Sequence, residues 1–315
     1  MNQILLCRFH PLELGGNDSK RIQLQHRVVL APLTRNRATE PGLTPSSVNA
    51  EYYSQRASQG GLLITEATYV SPSAAGYTGV PGIFTEDQVE GWKLVTQAVH
   101  AKGGVISCQL WHCGRVSTPG MSNHPLLRNT CVSASSVAIP KVRGKALTTI
   151  TYNGVEEFIA PRALSIDDIQ SVRQSYVNAA RNAMRAGFDL VEVHAAHGYL
   201  IDQFLVDSVN RRTDSYGGSV ANRSRLLLEV LGDLTDLLGP GKVAVRLSPT
   251  TRDSITYYGA VDSDPDALYG HAISALNSLP LAYILLTEPR WTGGFISKTE
   301  FCHVFFLFIF YCLLQ

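Results

Sequence analysis

Short apolar runs alternate with helical segments along most of this 315-residue chain, and this alternation limits the possible folds more than any other feature. Runs of this kind are typical of buried strands, and the segments between them carry apolar residues at helical spacing. Six strands are predicted, at 28–33, 62–65, 105–110, 190–193, 242–247 and 281–287. Apolar strands separated by helices predict a parallel sheet that helices cover.

The helices between these strands begin with recognisable capping residues. The three clearest signals pair a cap with the residue that completes it: Thr85 with Gln88, Ser165 with Asp168, and Asp264 with Pro265. A further helix is predicted over 45–60, with Val48, Tyr52 and Ala57 on its apolar face, and another over 222–238. The long segment 111–164 follows the third strand and is predicted to be a lid or an active-site insertion.

Two architectures fit this order of elements: a doubly wound sheet, or a barrel. No G-x-G-x-x-G motif follows the first strand, which weakens the dinucleotide-binding doubly wound alternative. In a barrel, functional residues gather where the strands end. The six strand ends read A-P-L-T-R-N-R (31–37), T-E-A-T (65–68), Q-L-W-H-C-G-R (109–115), H-A-A-H-G-Y (194–199), R-L-S-P (246–249) and T-E-P-R (287–290). All six are chemically rich, which predicts one site at the mouth of a barrel.

The fourth strand leads into the most informative segment, V-E-V-H-A-A-H-G-Y-L at 191–200. His194 and His197 could both donate to one substrate oxygen, and Tyr199 could supply a proton. A metal site is disfavoured, because no third ligand sits at metal-binding spacing. Two core histidines bonded to the backbone remain an alternative at this point.

Composition excludes several classes of partner. The formal net charge is only +1, so there is no basic surplus to neutralise the phosphates of a nucleic acid. The six cysteines show no paired or zinc-like spacing, and the chain starts without a recognisable signal peptide, which predicts a cytoplasmic protein. The apolar segment 300–315 is shorter than the roughly 20 residues of a membrane span, so a membrane partner is not expected.

Four long motifs resemble the old yellow enzymes, which are FMN-dependent ene reductases, and are most similar to the plant 12-oxophytodienoate reductases. These motifs are A-P-L-T-R-N-R, Q-L-W-H-x-G-R, H-A-A-H-G-Y-L-I-D-Q-F-L (194–205) and R-T-D-S-Y-G-G-S-V-A-N-R (212–223). The resemblance implies a TIM-type (β/α)8 barrel with FMN across its C-terminal mouth. It also implies that NADPH is the hydride donor, and that the substrate is an oxylipin-like α,β-unsaturated carbonyl whose C=C bond is reduced in oxylipin biosynthesis or metabolism.

The same resemblance assigns roles to individual residues. Tyr199 is expected to be the catalytic proton donor, and His194, His197 and Arg290 are expected to bind the substrate. The expected FMN-binding residues are Pro32, Leu33, Thr34, Ala67, Gln109 and Arg246. No metal is expected.

The resemblance fades after Gly294 and ends near Thr299. The expected organisation is therefore a barrel domain over 1–299 that lacks its last two βα units, followed by an aberrant apolar tail over 300–315 without strand alternation. Such a barrel is incomplete and leaves open sheet edges at the first and sixth strands. Two functions follow: an FMN-dependent NADPH:enone oxidoreductase, or a non-catalytic remnant that does not retain FMN.

Overall fold

Six parallel strands and the helices between them make up the fold, as the alternation in the sequence predicts. The structure is a computed structural model and describes residues 9–15, 22–128, 131–142, 144–249, 257–287 and 309–310. The strands are β1 (Leu12–Leu14), β2 (Ile22–Leu24), β3 (Val29–Leu30), β4 (Leu62–Ile64), β5 (Thr68–Tyr69), β6 (Val105–Trp111), β7 (Val132–Ser133), β8 (Thr148–Thr151), β9 (Gly154–Glu157), β10 (Arg162–Ala163), β11 (Leu190–His194), β12 (Val243–Leu247), β13 (Ile284–Leu286) and β14 (Ile309–Phe310). The helices are α1 (Ser47–Ser54), α2 (Glu86–His100), α3 (Ile166–Arg185), α4 (Leu200–Leu205), α5 (Val220–Leu238) and α6 (Pro265–Leu276), with 3-10 turns at Pro119–Asn123 and Tyr257–Gly259.

The central sheet has the strand order β14-β13-β12-β11-β6-β4-β3. All neighbours from β3 to β13 pair in parallel, and each of the six predicted strands is present. The sheet curls into an incomplete TIM-type barrel, and helices connect its strands. The predicted fold class is therefore confirmed.

The predicted helix caps form as the sequence indicates. The Thr85 side chain accepts the Gln88 backbone N–H at 3.3 Å, and Gln88 Oε1 accepts the Thr85 N–H at 3.1 Å. Ser165 and Asp168 exchange the same two bonds at the start of α3. Caps of this kind contribute about 1 kcal/mol each and fix where a helix begins.

Helix α1 departs from the prediction. It is shorter than 45–60, and the face predicted to be apolar is the wrong one: Val48 is 58% exposed, whereas Asn49 and Tyr53 are buried. Polar bonds decide this orientation. Asn49 Oδ1 accepts the Ser46 N–H, and the Tyr53 hydroxyl accepts the buried Glu66 N–H at 2.7 Å. Burying these polar groups without partners would cost more free energy than exposing the Val48 side chain.

The insertion at 111–164 carries structure of its own. Strands β8 and β9 form an antiparallel hairpin, and β10 pairs in parallel with β7. The hairpin places Ile150 opposite Val155, and both side chains are largely exposed. Arg115 connects this segment to the body of the protein, because its guanidinium donates to the carbonyls of Val137 and Tyr258 at 2.9 Å each.

An apolar layer closes the interior of the curled sheet at one end. The antiparallel β1–β2 hairpin buries Leu14 and Leu24 in the same cluster as Leu62, Ile64 and Leu190. Polar residues of the same strands follow this layer towards the C-terminal strand ends. Since the apolar cluster occupies the other end, these ends are where a ligand site can form.

The predicted tail contributes one short strand. Ile309 and Phe310 form β14 and pair antiparallel with Leu285 and Ile284 of β13, so this part of 300–315 adopts strand structure after all. The expected open edge at β13 is therefore partly covered, while β3 pairs only with β4 among the described strands. The other tail residues lie outside the part that the structure describes.

Candidate active site

The turn between β11 and α4 positions the three central side chains, His194, His197 and Tyr199. His197 adopts a φ of 59°, which is unusual for a residue other than glycine. Hydrogen bonds hold this turn in place: the His197 N–H donates to Ser248 Oγ at 2.8 Å, and the Gly198 N–H donates to the Asp202 carboxylate at 2.8 Å. A strained backbone held by buried partners is characteristic of functional sites.

The rings of these residues pack around Trp111 at the end of β6. The His194 ring lies nearly parallel to Trp111, with 6.0 Å between ring centroids, and Tyr199 meets Trp111 edge-on at 4.7 Å. His194 and His197 are perpendicular to each other at 5.2 Å. The structure therefore brings together the predicted carbonyl-binding pair and the predicted proton donor.

Both histidines are neutral at ordinary pH. Burial lowers the pKa of each, and the positive charge of Arg246 lowers both further. His194 Nδ1 accepts the Ala196 N–H at 3.4 Å, which places the ring proton on Nε2 as a donor. His197 Nε2 contacts Thr287 Oγ1 at 3.1 Å, so a ligand oxygen bound between the two rings would compete with Thr287.

Tyr199 retains its proton. Burial raises the pKa of this phenol well above its usual value. Its hydroxyl is 3.0 Å from the Tyr77 hydroxyl, which is in turn 2.5 Å from the Tyr258 hydroxyl. A buried, protonated phenol beside two neutral imidazoles has the chemistry of a general acid.

Gln109 and Arg246 lie on strands that flank β11. Gln109 stands in register with Glu192, and its Nε2 donates to Glu192 Oε1 at 2.6 Å. Arg246 stands in register with His194, and its Nε donates to Thr287 Oγ1 at 3.2 Å. The Arg246 cation and the oriented Gln109 amide therefore lie on the two strands next to β11, the strand that ends at His194.

The segment after β3 carries three of the residues predicted to bind FMN, Pro32, Leu33 and Thr34. Pro32 is buried, whereas Leu33 and Thr34 are exposed. The Arg35 N–H donates to Glu66 Oε2 at 2.8 Å, which ties this segment to the strand end that carries Ala67. Burial raises the pKa of Glu66 to about 7. Arg290, the remaining predicted site residue, lies outside the described residues.

Four residues of the site were not predicted from the sequence: Tyr77, Glu192, Tyr258 and Thr287. Glu192 had a visible signal, since it is an acidic residue in the middle of an apolar strand and two positions before His194. Thr287 directly follows the sixth strand and had a weaker signal of the same kind. The two tyrosines come from loops, where nothing in the local pattern shows that their hydroxyls meet.

Comparisons with known proteins agree with this geometry. Residues 9–304 match the NADH:flavin oxidoreductase / NADH oxidase family. The chain belongs to this family. Flavin oxidoreductase hxnT of Emericella nidulans is 46% identical over 290 residues, which cover 90% of this chain and 70% of that protein. The 12-oxophytodienoate reductase 2 of Arabidopsis thaliana is 46% identical over 273 residues, covering 86% and 68% of the two chains.

Solved structures of old yellow enzymes share the fold. The homologue from Zymomonas mobilis superimposes with a TM-score of 0.79 at 40% identity, covering 89% of this chain and 73% of that one. Morphinone reductase gives a TM-score of 0.79 at 42% identity, covering 93% and 74%. The protein is thus an FMN-dependent oxidoreductase of the old yellow enzyme family, with a nicotinamide nucleotide as hydride donor.

The side chains at the mouth fit FMN. No described residue donates to Gln109 Oε1, so this nearly buried acceptor is available to a ligand N–H. Arg246 lies on β12, which β11 separates from the strand of Gln109, and offers a positive charge suited to the electron-rich pyrimidine end of a flavin. Of the other predicted FMN-binding residues, Leu33 and Thr34 are exposed, whereas Pro32 and Ala67 are buried.

Two further features bear on the classes of function. In the described part of the chain, no three His, Cys, Asp or Glu side chains are close enough to hold a metal ion. Within the same residues, no helix has the length and apolar composition that a membrane crossing requires.

Proposed function

We propose that this oxidoreductase uses NADPH to reduce the C=C bond of α,β-unsaturated carbonyl compounds of oxylipin type. The observation that carries this proposal is the group His194, His197 and Tyr199 around Trp111, next to Gln109 and Arg246. Two neutral imidazoles and a protonated phenol match the needs of an enone, whose carbonyl oxygen gains charge while its α-carbon gains a proton.

Each residue has a distinct task in this scheme. His194 Nε2–H and His197 hold the carbonyl oxygen and withdraw charge from the double bond. Tyr199 delivers its proton to the α-carbon, and its high pKa keeps that proton in place until charge develops there. Arg246 stabilises negative charge at the pyrimidine end of the cofactor. FMN, when bound, supplies the hydride that it has received from the nicotinamide nucleotide.

Two relatives support the finer assignments. One is a 12-oxophytodienoate reductase, which motivates an oxylipin-like enone as the substrate. The other is a morphinone reductase variant solved in complex with tetrahydroNAD, which motivates a nicotinamide donor at the same mouth. The preference for NADPH, and the substrate role of Arg290, rest on the sequence resemblance. We further propose a cytoplasmic location, because Cys108 and Cys113 are buried thiols that form no disulfide.

The test separates the two half-reactions. Wild-type protein and Tyr199→Phe are loaded with FMN and reduced anaerobically with NADPH or with NADH. The reduced forms are then mixed with 2-cyclohexenone, and reoxidation is followed by flavin absorbance. Removing one positioned acid is expected to slow reoxidation by about 10² to 10⁴-fold and to leave reduction unchanged. Equal slowing of both steps would assign Tyr199 a structural role, and faster reduction by NADH would contradict the NADPH preference.

A second candidate is a folded chain that does not retain FMN. The open side of the curled sheet favours it, because β3 has only one partner strand among the described residues, and Val28 and Leu33 beside it are more than half exposed. Gel filtration of FMN-loaded protein distinguishes the two candidates. Stoichiometric flavin in the protein peak supports the reductase, and colourless protein supports the second candidate.

A further inference from the structure

Glu192 is a buried carboxylate that has no role in the proposed reaction. It lies in the middle of β11 and has no solvent exposure. Burial of an acidic side chain is unfavourable unless partners compensate it. Glu192 lies two residues before His194 on the same strand, so its partners belong to the layer next to the carbonyl-binding histidines.

The Gln109 side chain hydrogen-bonds to Glu192, and Arg246 and Tyr283 also lower the pKa of this carboxyl group. The two residues stand opposite each other in the parallel pair β6–β11, and Gln109 Nε2 donates to Glu192 Oε1 at 2.6 Å. The Gln109 backbone is fixed as well, since its N–H donates to Thr65 Oγ1 at 3.0 Å. Hydrogen bonds therefore hold both the backbone and the side-chain amide of Gln109.

This bond also decides which end of the amide is available. An amide offers a donor nitrogen and an acceptor oxygen, and the two are interchangeable by a half-turn of the group. The oxygen of Glu192 that faces Gln109 accepts, so the amide nitrogen must turn towards it. Gln109 Oε1 then points away from Glu192, and it accepts no hydrogen bond from any residue that the structure describes.

The pyrimidine edge of a flavin carries both kinds of group, an N3–H donor between two carbonyl acceptors. An amide oxygen pairs with the N–H, whereas an amide nitrogen would pair with a carbonyl. Arg246 lies on β12, next to the strand β11 that carries Glu192, and it is already a donor suited to a carbonyl oxygen. An acceptor at Gln109 therefore completes a matched set of contacts, which a second donor would not.

We infer that Glu192 is a positioning residue that fixes the Gln109 amide with its oxygen towards the cofactor, so that the site selects a ring edge carrying an N–H donor. The inference rests on the proposed use of FMN at this mouth. Burial raises the pKa of Glu192, while Arg246 and the hydrogen bond from Gln109 oppose this effect. The carboxylate form can only accept and therefore enforces this orientation, and a protonated carboxyl keeps it when its hydroxyl is on Oε2 and its carbonyl oxygen faces Gln109.

The first experiment compares FMN with 3-methyl-FMN, which has no N–H at position 3. Both are titrated against wild-type protein, Glu192→Met and Glu192→Gln, and binding is followed by quenching of flavin fluorescence. The wild type is expected to bind FMN about 10-fold or more tightly than the methylated flavin, since one hydrogen bond is lost and an acceptor is left unpaired. Glu192→Met frees the amide to turn, and the ratio is expected to fall towards one. Glu192→Gln keeps an acceptor and is expected to lie between the two.

The second experiment needs no flavin. In protein labelled with ¹⁵N-glutamine, the Gln109 side-chain amide signal is identified by its absence in Gln109→Leu, and its proton exchange with water is measured. Slow exchange is expected in the wild type and fast exchange in Glu192→Met. Asp262→Asn, which removes a buried carboxylate bonded to Arg223 at 2.8 Å, serves as the control for general loosening and is expected to change neither readout.

These outcomes distinguish the positioning role of Glu192 from the proposed function. An unchanged flavin ratio in Glu192→Met overturns the inference, and so does equally fast amide exchange in wild type and Glu192→Met. A wild-type protein that binds neither flavin, yet protects the Gln109 amide only when Glu192 is present, contradicts the proposed function and supports the positioning role.

Discussion

Asp202 lies beneath the turn that carries the site, and its replacement by asparagine tests how burial controls that turn. One carboxylate oxygen accepts the Gly198 N–H at 2.8 Å, and Tyr269 contacts the other at 3.5 Å. Burial raises the pKa of Asp202 from 3.8 to about 7, whereas the Gly198 bond and the charge of Arg115 lower it, and the charge of Asp262 raises it slightly. Asparagine keeps the acceptor for Gly198 but does not titrate.

The sign of the expected effect follows from this shift. A carboxyl group with a raised pKa in the folded state binds its proton more tightly when folded than when unfolded. Its contribution to the free energy of unfolding is complete below about pH 4 and disappears as the pH rises through about 7. The full contribution is about 4 kcal/mol, at roughly 1.4 kcal/mol for each pH unit between the two pKa values, and about 3 kcal/mol of it falls between pH 5 and pH 8.

The assay is urea unfolding at pH 5, 6, 7 and 8, followed by tryptophan fluorescence. Wild-type protein is expected to lose stability relative to Asp202→Asn by about 3 kcal/mol over this range. The shifted pKa of Glu66 affects both proteins equally and cancels in the difference. Asp87→Asn, at an exposed position of α2, is the control and should follow the wild type. A difference between wild type and Asp202→Asn that does not change with pH would refute the reasoning.

Two further predictions concern the carbonyl anchor and the helix caps. In FMN-loaded protein, His194→Ala is expected to weaken the binding of a phenolate ligand by about 1.5–3 kcal/mol, the range for a hydrogen bond to a charged group, measured by titration of a charge-transfer band. The exposed His100→Ala is the control, and equal affinity in both variants would exclude His194 as an anchor. Thr85→Ala is expected to lower the free energy of unfolding by about 1 kcal/mol in urea, because α2 loses its cap; a change below the error of the fit would show that Gln88 alone closes that end.

The sequence predicts those parts of the fold that short-range signals determine. Six strands and three capped helices follow from apolar periods and from pairs such as Thr85 with Gln88, which meet within one helical turn. Helix α1 was predicted with the wrong buried face, because Tyr53 is buried for a hydrogen bond to Glu66, thirteen residues away, and no periodicity encodes such a bond.

The same distinction between short-range and long-range signals applies to the site residues. His194, His197 and Tyr199 were predicted because they share one short motif at a strand end, and the structure brings their rings together. Tyr77 and Tyr258 were not predicted, because their hydroxyls meet across 181 residues of sequence. Contacts of this kind depend on where the parallel sheet places its loops.

The pairing of β14 with β13 has a consequence for how copies of this chain could associate. It makes the two-residue β14 the edge strand on one side of the sheet, and leaves β3 as the edge on the other side in the part of the chain that the structure describes. Two copies that met through β3 would present the same strand to each other and pair about a twofold axis. Among the described strands, the outer strand on each side of such a pair would be the two-residue β14, which offers few backbone groups for further pairing, so association through sheet edges would favour two copies over a fibre.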